Sequence, residues 1–416
     1  MSCAQESGIR PSAFGVLRLP RTIVVGAQQR FAVADIAAEL GRSVLVCTDP
    51  RLAVSDELEG LVDSLRRRGL AVTVYGETQA ELPTPGIMAC IEQLQGREID
   101  VIIGFGGGSC MDMAKVVAVL LTHGGEPGDY YGEFAVPGPV KPVIALPTTA
   151  GTGSEATAIA VVSDPALGMK MGISSPHIIP HAAVCDPELT YTCPAPLTAA
   201  TGADTLVHLV ESFTAVTREA TPSLVSERVL AGKNVLTDSL ALEGIRLLGR
   251  SLATVYKDPG NTEARADMML AALYGGIVLS NAGTAAAHAI QYPVGALTHT
   301  PHGVGVGLLL PYVVRHNFSA IEAPLAQVAE ALGRDIKGLD ARQAGIAGVE
   351  AIDEILAAIE LPATLQDLGV QEDDLDQIAQ LSMNSKRLID NNPVPLDLAA
   401  VTSIVRSAYH GDRDIA

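Results

Sequence analysis

The stretch TGADTLVHLVE, residues 201–211, places a carboxylate and an imidazole four residues apart in an otherwise apolar helical run. Residues four apart lie one above the other on the same helix face, so Asp204 and His208 would present their side chains to one point. Such a pair can offer two ligands to a metal ion. It can equally form a hydrogen bond within the helix or face solvent, and the pair taken alone favours that simpler interpretation.

Three more histidines fall within AAAHAIQYPVGALTHTPHG, a helical segment followed by a turn that proline and glycine mark. Each of His288, His299 and His302 can be a structural histidine. Two of them, added to Asp204 and His208, would complete a set of three imidazoles and one carboxylate, which suits Fe(II), Zn(II) or a neighbouring metal. A metal held in this way acts as a Lewis acid on a bound oxygen.

Two glycine-rich loops follow apolar strands and have the character of ligand-binding loops. VIIGFGGGSCMDMAK runs from a strand into a helix through Gly106, Gly107, Gly108 and Ser109. Glycines let the backbone approach a phosphate, and the free amides at a helix start attract its charge. Because the run lacks a complete GxGxxG pattern and follows a late strand, a plain tight turn remains an alternative. PTTAGTGSEAT, residues 147–157, is similar, and the two loops could border one crevice.

Asp49 ends the apolar strand SVLVCTD and is a candidate for nucleotide recognition. Its carboxylate could accept hydrogen bonds from a ribose 2′-hydroxyl, and its charge would repel a 2′-phosphate. This favours NAD over NADP.

The elements that must position these residues differ between the two halves of the chain. Short β-branched runs alternate with helical ones up to about residue 150, for example TIVVG, SVLVCTD, AVTVYG and PVIALPTT. This alternation predicts a mostly parallel sheet with helices on both faces. Later segments, among them SERVLAGKNVLTDSLALEGIRLLGRSLATVY (226–256), have helical periodicity. We therefore predict an α/β dinucleotide-binding domain over 1–195 and an all-helical metal and substrate domain over 196–416, divided within the Pro-containing TYTCPAPLTAATG.

Composition limits the class of protein and its partners. The chain has 416 residues, 48% of them hydrophobic, and a formal net charge of -19. This charge repels nucleic acid and anionic membrane surfaces, so we expect neither as a partner. The polar N-terminus lacks a secretory signal and no apolar run reaches membrane-spanning length, which predicts a cytoplasmic protein. Six scattered cysteines, from Cys3 to Cys193, fit reduced thiols.

Taken together, these motifs resemble the iron-containing (group III) alcohol dehydrogenase family. GGGSCMDMAK is similar to its GGGSxxDxAK loop, PTTAGTGSEAT to its PTTxGTGSE loop, and GADTLVHLVES to its DxxxHxxE helix. HAIQYPVGALTHTPHGVGVGLLLPYVVRHN resembles its final His-containing signature, and DPELT and NNPVP match shorter stretches. The matches follow the family order over nearly the whole chain.

The resemblance implies NAD(P) and one divalent metal in a cleft between the two domains, and a homo-oligomer. It implies as metal ligands Asp204, His208, His288 and His302, with no ligand role for His299 or Glu211. The cofactor would contact the Gly106–Gly107–Gly108–Ser109 loop together with Asp112, Thr148, Thr149 and Lys170. The catalytic set would be Tyr292, His288 and His302. The expected reaction is hydride transfer between a primary or small secondary alcohol and NAD, with the aldehyde or ketone as the substrate in reverse.

The chain departs from the family at one position near the site. Many members have a second histidine four residues after the third ligand, where this chain has Tyr292. A phenol with an ordinary pKa of about 10 cannot transfer protons near neutrality as an imidazole does, but it can donate a hydrogen bond or shape the pocket. The HxxxYP pattern resembles the hydroxyacid-oxoacid transhydrogenase branch, which retains its nicotinamide, although this chain lacks that branch's longer insertion. A second alternative is a non-catalytic protein with a structural metal site.

Overall fold

The structure, a computed structural model, describes residues 14–415, so Cys3 and the N-terminal stretch examined for a secretory signal lie outside the described residues. The strands are β1 (Thr22–Val25), β2 (Ser43–Cys47), β3 (Ala71–Tyr75), β4 (Val101–Gly106), β5 (Gly132–Glu133), β6 (Val143–Pro147), β7 (Ile159–Asp164), β8 (Met169–Ser174) and β9 (Ala182–Cys185). The helices among them are α1 (Val33–Leu40), α2 (Asp56–Arg67), α3 (Thr84–Gln93) and α4 (Gly108–His123).

Six of these strands form one sheet in the order β1-β9-β6-β4-β2-β3, and every pairing in it is parallel. Successive side chains of a strand point to opposite faces, and both faces here are buried. Val44 and Val46 pack with the side chains of α1 and α2, whereas Leu45 and Cys47 pack with those of α3 and α4. The predicted parallel sheet with helices on both faces is confirmed.

A small second sheet, of order β5-β8-β7, is a feature that the sequence did not lead us to expect. β7 and β8 form an antiparallel hairpin whose turn includes Gly168 at φ +64°. Val161 of β7 and Lys170 of β8 line the same cleft as the glycine loop. This hairpin therefore supplies part of the wall between the two halves of the chain.

The second half of the chain is helical, as predicted. Its helices are α5 (Ala195–Thr214), α6 (Leu224–Glu227), α7 (Val235–Lys257), α8 (Thr262–Ala282), α9 (Ala286–Thr298), α10 (His302–His316), α11 (Phe318–Ala331), α12 (Ala341–Ala358), α13 (Leu375–Ser382), α14 (Lys386–Ile389) and α15 (Leu398–His410). They enclose one apolar core, with α5 packed against α7, α8 and α10. The domain boundary between 195 and 196 stays a prediction.

The periodic segment 226–256 is helical but interrupted. Residues 226–256 do not form a single helix, because α6 and α7 are separated by a loop over 228–234. Gly232 lies at φ +82°, and a Cβ there would lie 2.4 Å from the carbonyl oxygen of Val216. Asn234 then caps α7, its side chain accepting a hydrogen bond from the amide of Leu236.

No single helix within residues 14–415 is long and apolar enough to cross a membrane. Two bent pairs, α8 with α9 and α10 with α11, pass the same test by length and composition only.

Candidate active site

The metal-ligand candidates converge because helices approach one another closely. Asp204 and His208 lie one turn apart on α5, which is buried along most of its length. His302 begins α10, and a Cβ on the next residue, Gly303, would lie 2.0 Å from the carbonyl oxygen of Ala200 on α5. The absence of a side chain at Gly303 is therefore what lets His302 reach Asp204.

Three imidazoles surround one carboxylate oxygen. The distance from Oδ1 of Asp204 to Nε2 is 3.3 Å for His208, 3.7 Å for His302 and 3.9 Å for His288. Asp204, His288 and His302 each offer a ligand atom within 4.8 Å of the other two. Oδ1 of Asp204 and Nε2 of His288 are buried, and neither has a hydrogen-bond partner among the described residues. Buried polar atoms are rarely left unpaired, and a divalent ion among these four side chains would satisfy them, so the donor set fits a metal.

The local electrostatics favour the protonation states that metal ligation requires. Burial is the largest influence on His208 and His302, and it lowers the pKa of His208 to about 4 and that of His302 to about 3. Burial alone would raise the pKa of Asp204, but the neighbouring imidazoles hold that pKa below its ordinary value. At neutral pH these two imidazoles are therefore neutral and the carboxylate is ionised.

Glu211 positions one of the imidazoles, a role that the sequence did not assign to it. Its Oε2 lies 2.7 Å from Nδ1 of His288 and also accepts the amide of Ala285 at 2.9 Å, while Oε1 accepts the amide of Ala287 at 2.7 Å. A carboxylate on Nδ1 fixes the tautomer whose Nε2 is free to ligate. Its place on the same face of α5 as Asp204 and His208 was the available signal, but its partner lies 77 residues away in the sequence.

The glycine loop after β4 forms an open helix start. Gly106 lies at φ +151°, and a Cβ there would lie 2.5 Å from Sγ of Cys110. A Cβ on Gly108 would lie 2.8 Å from Cγ2 of Thr152. α4 begins at Gly108 after Gly107, with no side chain capping its first turn. Gly108 and Ser109 line the cleft, so free amides at the positive end of a 16-residue helix face it, as an anion-binding site requires.

The loop after β6 lies beside the glycine loop, but Thr148 and Thr149 are not among the residues that line the cleft. Thr148 is buried, and its Oγ1 has no partner among the described residues. Oγ1 of Thr149 would lie 3.6 Å from a Cβ on Gly107. The side chains that line the cleft from this loop are those of Thr152, Ser154 and Thr157. The contacts of Thr148 and Thr149 with a cofactor stay predictions.

The remaining cofactor candidates lie around this edge of the sheet. Asp112 lines the cleft, but its Oδ1 accepts the hydroxyl of Ser154 at 2.6 Å and its Oδ2 accepts the amide of Val161 at 2.9 Å. Asp49 follows β2, the neighbour of β4, and its Oδ1 accepts the amide of Leu52 at 2.8 Å. Their contacts with a cofactor, and that of Lys170, also stay predictions.

One open cleft joins the glycine loop to the histidine cluster. Gly108 and Ser109 line it on the α/β side, and Asp204 with its three histidines lines it on the helical side. Tyr292 is also in the wall, with its ring centre 6.2 Å from that of His302. His299, by contrast, is exposed at the end of α9. A nucleotide and a substrate oxygen bound in this cleft would meet between the two halves.

Comparison with known families covers both halves. The model described as iron-containing alcohol dehydrogenase matches residues 20–187, and the C-terminal model of the same family matches residues 198–409. The chain belongs to the iron-containing alcohol dehydrogenase family. This membership confirms the resemblance seen in the sequence motifs, and it identifies the chain as an oxidoreductase of the alcohol dehydrogenase type.

Relatives of this alcohol dehydrogenase are similar over nearly their whole length. Long-chain-alcohol dehydrogenase 1 of Geobacillus thermodenitrificans is 33% identical over 373 residues, which cover 89% of this chain and 90% of the relative. The crystal structure of a 1,3-propanediol oxidoreductase matches with a TM-score of 0.88 and 29% identity, covering 95% of this chain and 100% of that one. Sulfoacetaldehyde reductase from Bifidobacterium kashiwanohense, solved in complex with NAD+, matches with a TM-score of 0.81 and 27% identity, covering 96% and 100%.

Proposed function

We propose that this alcohol dehydrogenase is metal-dependent and converts a primary or small secondary alcohol and NAD+ into the aldehyde or ketone, NADH and a proton. The observation that carries the proposal is the convergence of three imidazoles on the buried, unpaired Oδ1 of Asp204, across one cleft from the open start of α4. A metal site with a purely structural role would not need an open cleft beside it.

The residues have separate tasks in this proposal. Asp204, His208, His288 and His302 would hold the divalent ion, and Glu211 would keep His288 in its ligating tautomer. The amides of Gly108 and Ser109 would bind the cofactor pyrophosphate. The metal would supply Lewis-acid polarisation of the substrate oxygen, and the nicotinamide would supply the hydride acceptor.

Asp49 supports NAD over NADP as the cofactor, and the metal is Fe(II) or Zn(II). Asp49 follows β2, the strand that pairs with β4, so its carboxylate adds negative charge at the edge of the sheet where the glycine loop begins. A 2′-phosphate placed beside that carboxylate would be repelled. Imidazole ligands suit iron and zinc alike, so the choice between them is left to the assay.

Tyr292 would donate a hydrogen bond in this site and would not serve as the proton-transfer group. Burial is the largest influence on its phenol and raises its pKa above the ordinary value, so the hydroxyl keeps its proton near neutrality. Its ring lies beside His302, close to where the substrate oxygen would bind.

The first test is NADH formation at 340 nm from a panel of alcohols, diols and hydroxy acids. The protein is assayed as purified without oxygen, after chelation, and after adding Fe(II) or Zn(II). We expect activity to disappear on chelation and to return with one of the metals. Asp204→Asn protein that is folded and still binds NADH should be inactive, and full turnover by it would contradict the metal assignment.

The second candidate is a hydroxyacid-oxoacid transhydrogenase with retained nicotinamide, which Tyr292 beside His302 favours. It predicts exchange between a hydroxy acid and an oxo acid with no free NAD added. An excess of an NADH-scavenging enzyme should not reduce that exchange, whereas removing bound nucleotide should abolish it. If the protein binds no NADH at all, the non-catalytic alternative gains support.

A further inference from the structure

The charged residues that line the cleft are not all paired with other residues within 14–415. They are Glu81, Asp112, Lys170, Asp204 and Arg387. Glu81 forms an ion pair with Lys170, Asp112 lies 3.5 Å from a buried lysine, and Asp204 is surrounded by the imidazoles. Arg387 has no ion pair with any residue in 14–415, so its guanidinium is left to pair with something that enters the cleft.

Arg387 lies on the helical side of the cleft. It belongs to α14, which packs against α9, the helix that carries His288 and Tyr292. Across the cleft it reaches the small sheet, where its Nη2 lies 4.0 Å from the position of a Cβ on Gly172 of β8. Gly172 leaves room for this side chain between the helical half and β8.

Tyr292 lines the same cleft as Arg387. Tyr292 in turn contacts the histidine cluster through His302, with 6.2 Å between ring centres. The cleft therefore brings together the metal-ligand candidates, the phenol of Tyr292 and the guanidinium of Arg387.

We propose that Arg387 binds a carboxylate on the substrate, so that the preferred substrates are short hydroxy acids and the corresponding oxo acids. The inference rests on the proposed dehydrogenase function and specifies its substrate class. A guanidinium is planar, permanently charged and weakly hydrated, and it matches a carboxylate with two parallel hydrogen bonds. With the substrate oxygen at the metal ligands and its carboxylate at Arg387, the reacting carbon would lie next to Tyr292.

The test compares matched substrates and matched variants of the full-length, metal-loaded protein. The substrates are 3-hydroxypropanoate, 4-hydroxybutanoate and 5-hydroxypentanoate, each paired with the neutral alcohol of equal chain length. The variants are Arg387→Met, which keeps length and removes charge, and Arg387→Lys, which keeps charge and loses the planar fork. Lys386→Met is the control, because it removes one positive charge from the adjacent exposed residue of the same short helix.

We expect wild-type kcat/KM to be higher for one hydroxy acid than for its paired alcohol. Arg387→Met should lower kcat/KM for that acid about 10- to 100-fold, the range expected for losing hydrogen bonds to a charged group, while the paired alcohol changes less than about threefold. Arg387→Lys should show an intermediate loss, and Lys386→Met should change neither substrate. Calorimetry with the unreactive butanoate supplies a readout that does not depend on turnover, and Arg387→Met should weaken its binding by a similar factor.

Three results would overturn the inference in distinguishable ways. Equal losses for acids and alcohols in Arg387→Met would mean that Arg387 only shapes the cleft. A weaker affinity for NADH in that variant would assign Arg387 to the cofactor phosphates. If the wild type prefers alcohols over acids and Arg387→Met leaves kcat/KM unchanged, the substrate does not carry a carboxylate that Arg387 binds. Absence of NADH formation from both series with either metal would instead contradict the proposed function itself.

Discussion

Replacing Glu211 by Gln tests whether the site depends on a carboxylate that touches no metal. The Glu211 carboxylate accepts three hydrogen bonds, from Nδ1 of His288 and from the amides of Ala285 and Ala287. Gln has nearly the same shape but only one accepting oxygen, and its NH2 group would face a donor. The change therefore removes the charge-assisted bond to His288 and leaves one neighbour poorly paired.

The expected size of the effect follows from those contacts. Loss of the carboxylate partner of a metal-ligating histidine weakens metal affinity by about 10- to 100-fold. Loss of a buried hydrogen bond to a charged group also lowers the free energy of unfolding by about 1.5 to 3 kcal/mol. Metal affinity is measured by dialysis against chelator-buffered Fe(II) or Zn(II) and metal analysis of the protein, and stability by denaturant unfolding of the metal-free protein.

Glu227→Gln is the matched control, since Glu227 is exposed on α6 and should change neither quantity. His288→Ala gives the reference for loss of a ligand. If Glu211→Gln retains wild-type metal affinity within twofold while His288→Ala loses it, the orientation of the imidazole does not depend on Glu211 and the reasoning is refuted.

Two further changes test packing and buried charge. Gly303→Ala places a Cβ 2.0 Å from the backbone of α5, so it should displace His302 and lower both metal affinity and melting temperature. In the control Gly275→Ala the new Cβ has no atom closer than 3.6 Å, so metal affinity should not change. Equal behaviour of the two variants would contradict the close-approach argument. Burial raises the pKa of Glu155 from 4.5 to about 7, so the folded protein binds the proton more tightly and the free energy of unfolding should fall as pH rises through that window. The free energy of unfolding should fall by at most about 3 kcal/mol. Glu155→Gln should abolish this fall in urea unfolding measured from pH 5 to 8. An unchanged pH slope in the variant would assign the pH dependence to other groups.

The sequence determined the parts of this protein that depend on near neighbours along the chain. Alternating β-branched and helical runs predicted the parallel sheet, because each strand and helix shows its buried positions in its own local pattern. The four-residue spacing of Asp204 and His208 placed both side chains on one face of α5 for the same reason. The glycines at Gly106 and Gly108 marked the turn into α4, where the backbone conformation and the nearness of Thr152 exclude a Cβ. The ordered motifs, taken as a resemblance, also led to the family.

The tertiary structure alone decided which distant residues meet. The approach of α10 to α5 at Gly303 brings His302 to Asp204 and leaves His299 exposed, a distinction that the residues by themselves left open. Glu211 contacts His288 across 77 residues of sequence, and Arg387 enters the same cleft as Tyr292 from a four-residue helix that no periodicity marks. These pairings depend on how whole helices pack, and packing is set by the shape of all the contacting surfaces together. No local pattern carries that information, which is why the ligand-orienting carboxylate and the unpaired guanidinium emerged only with the fold.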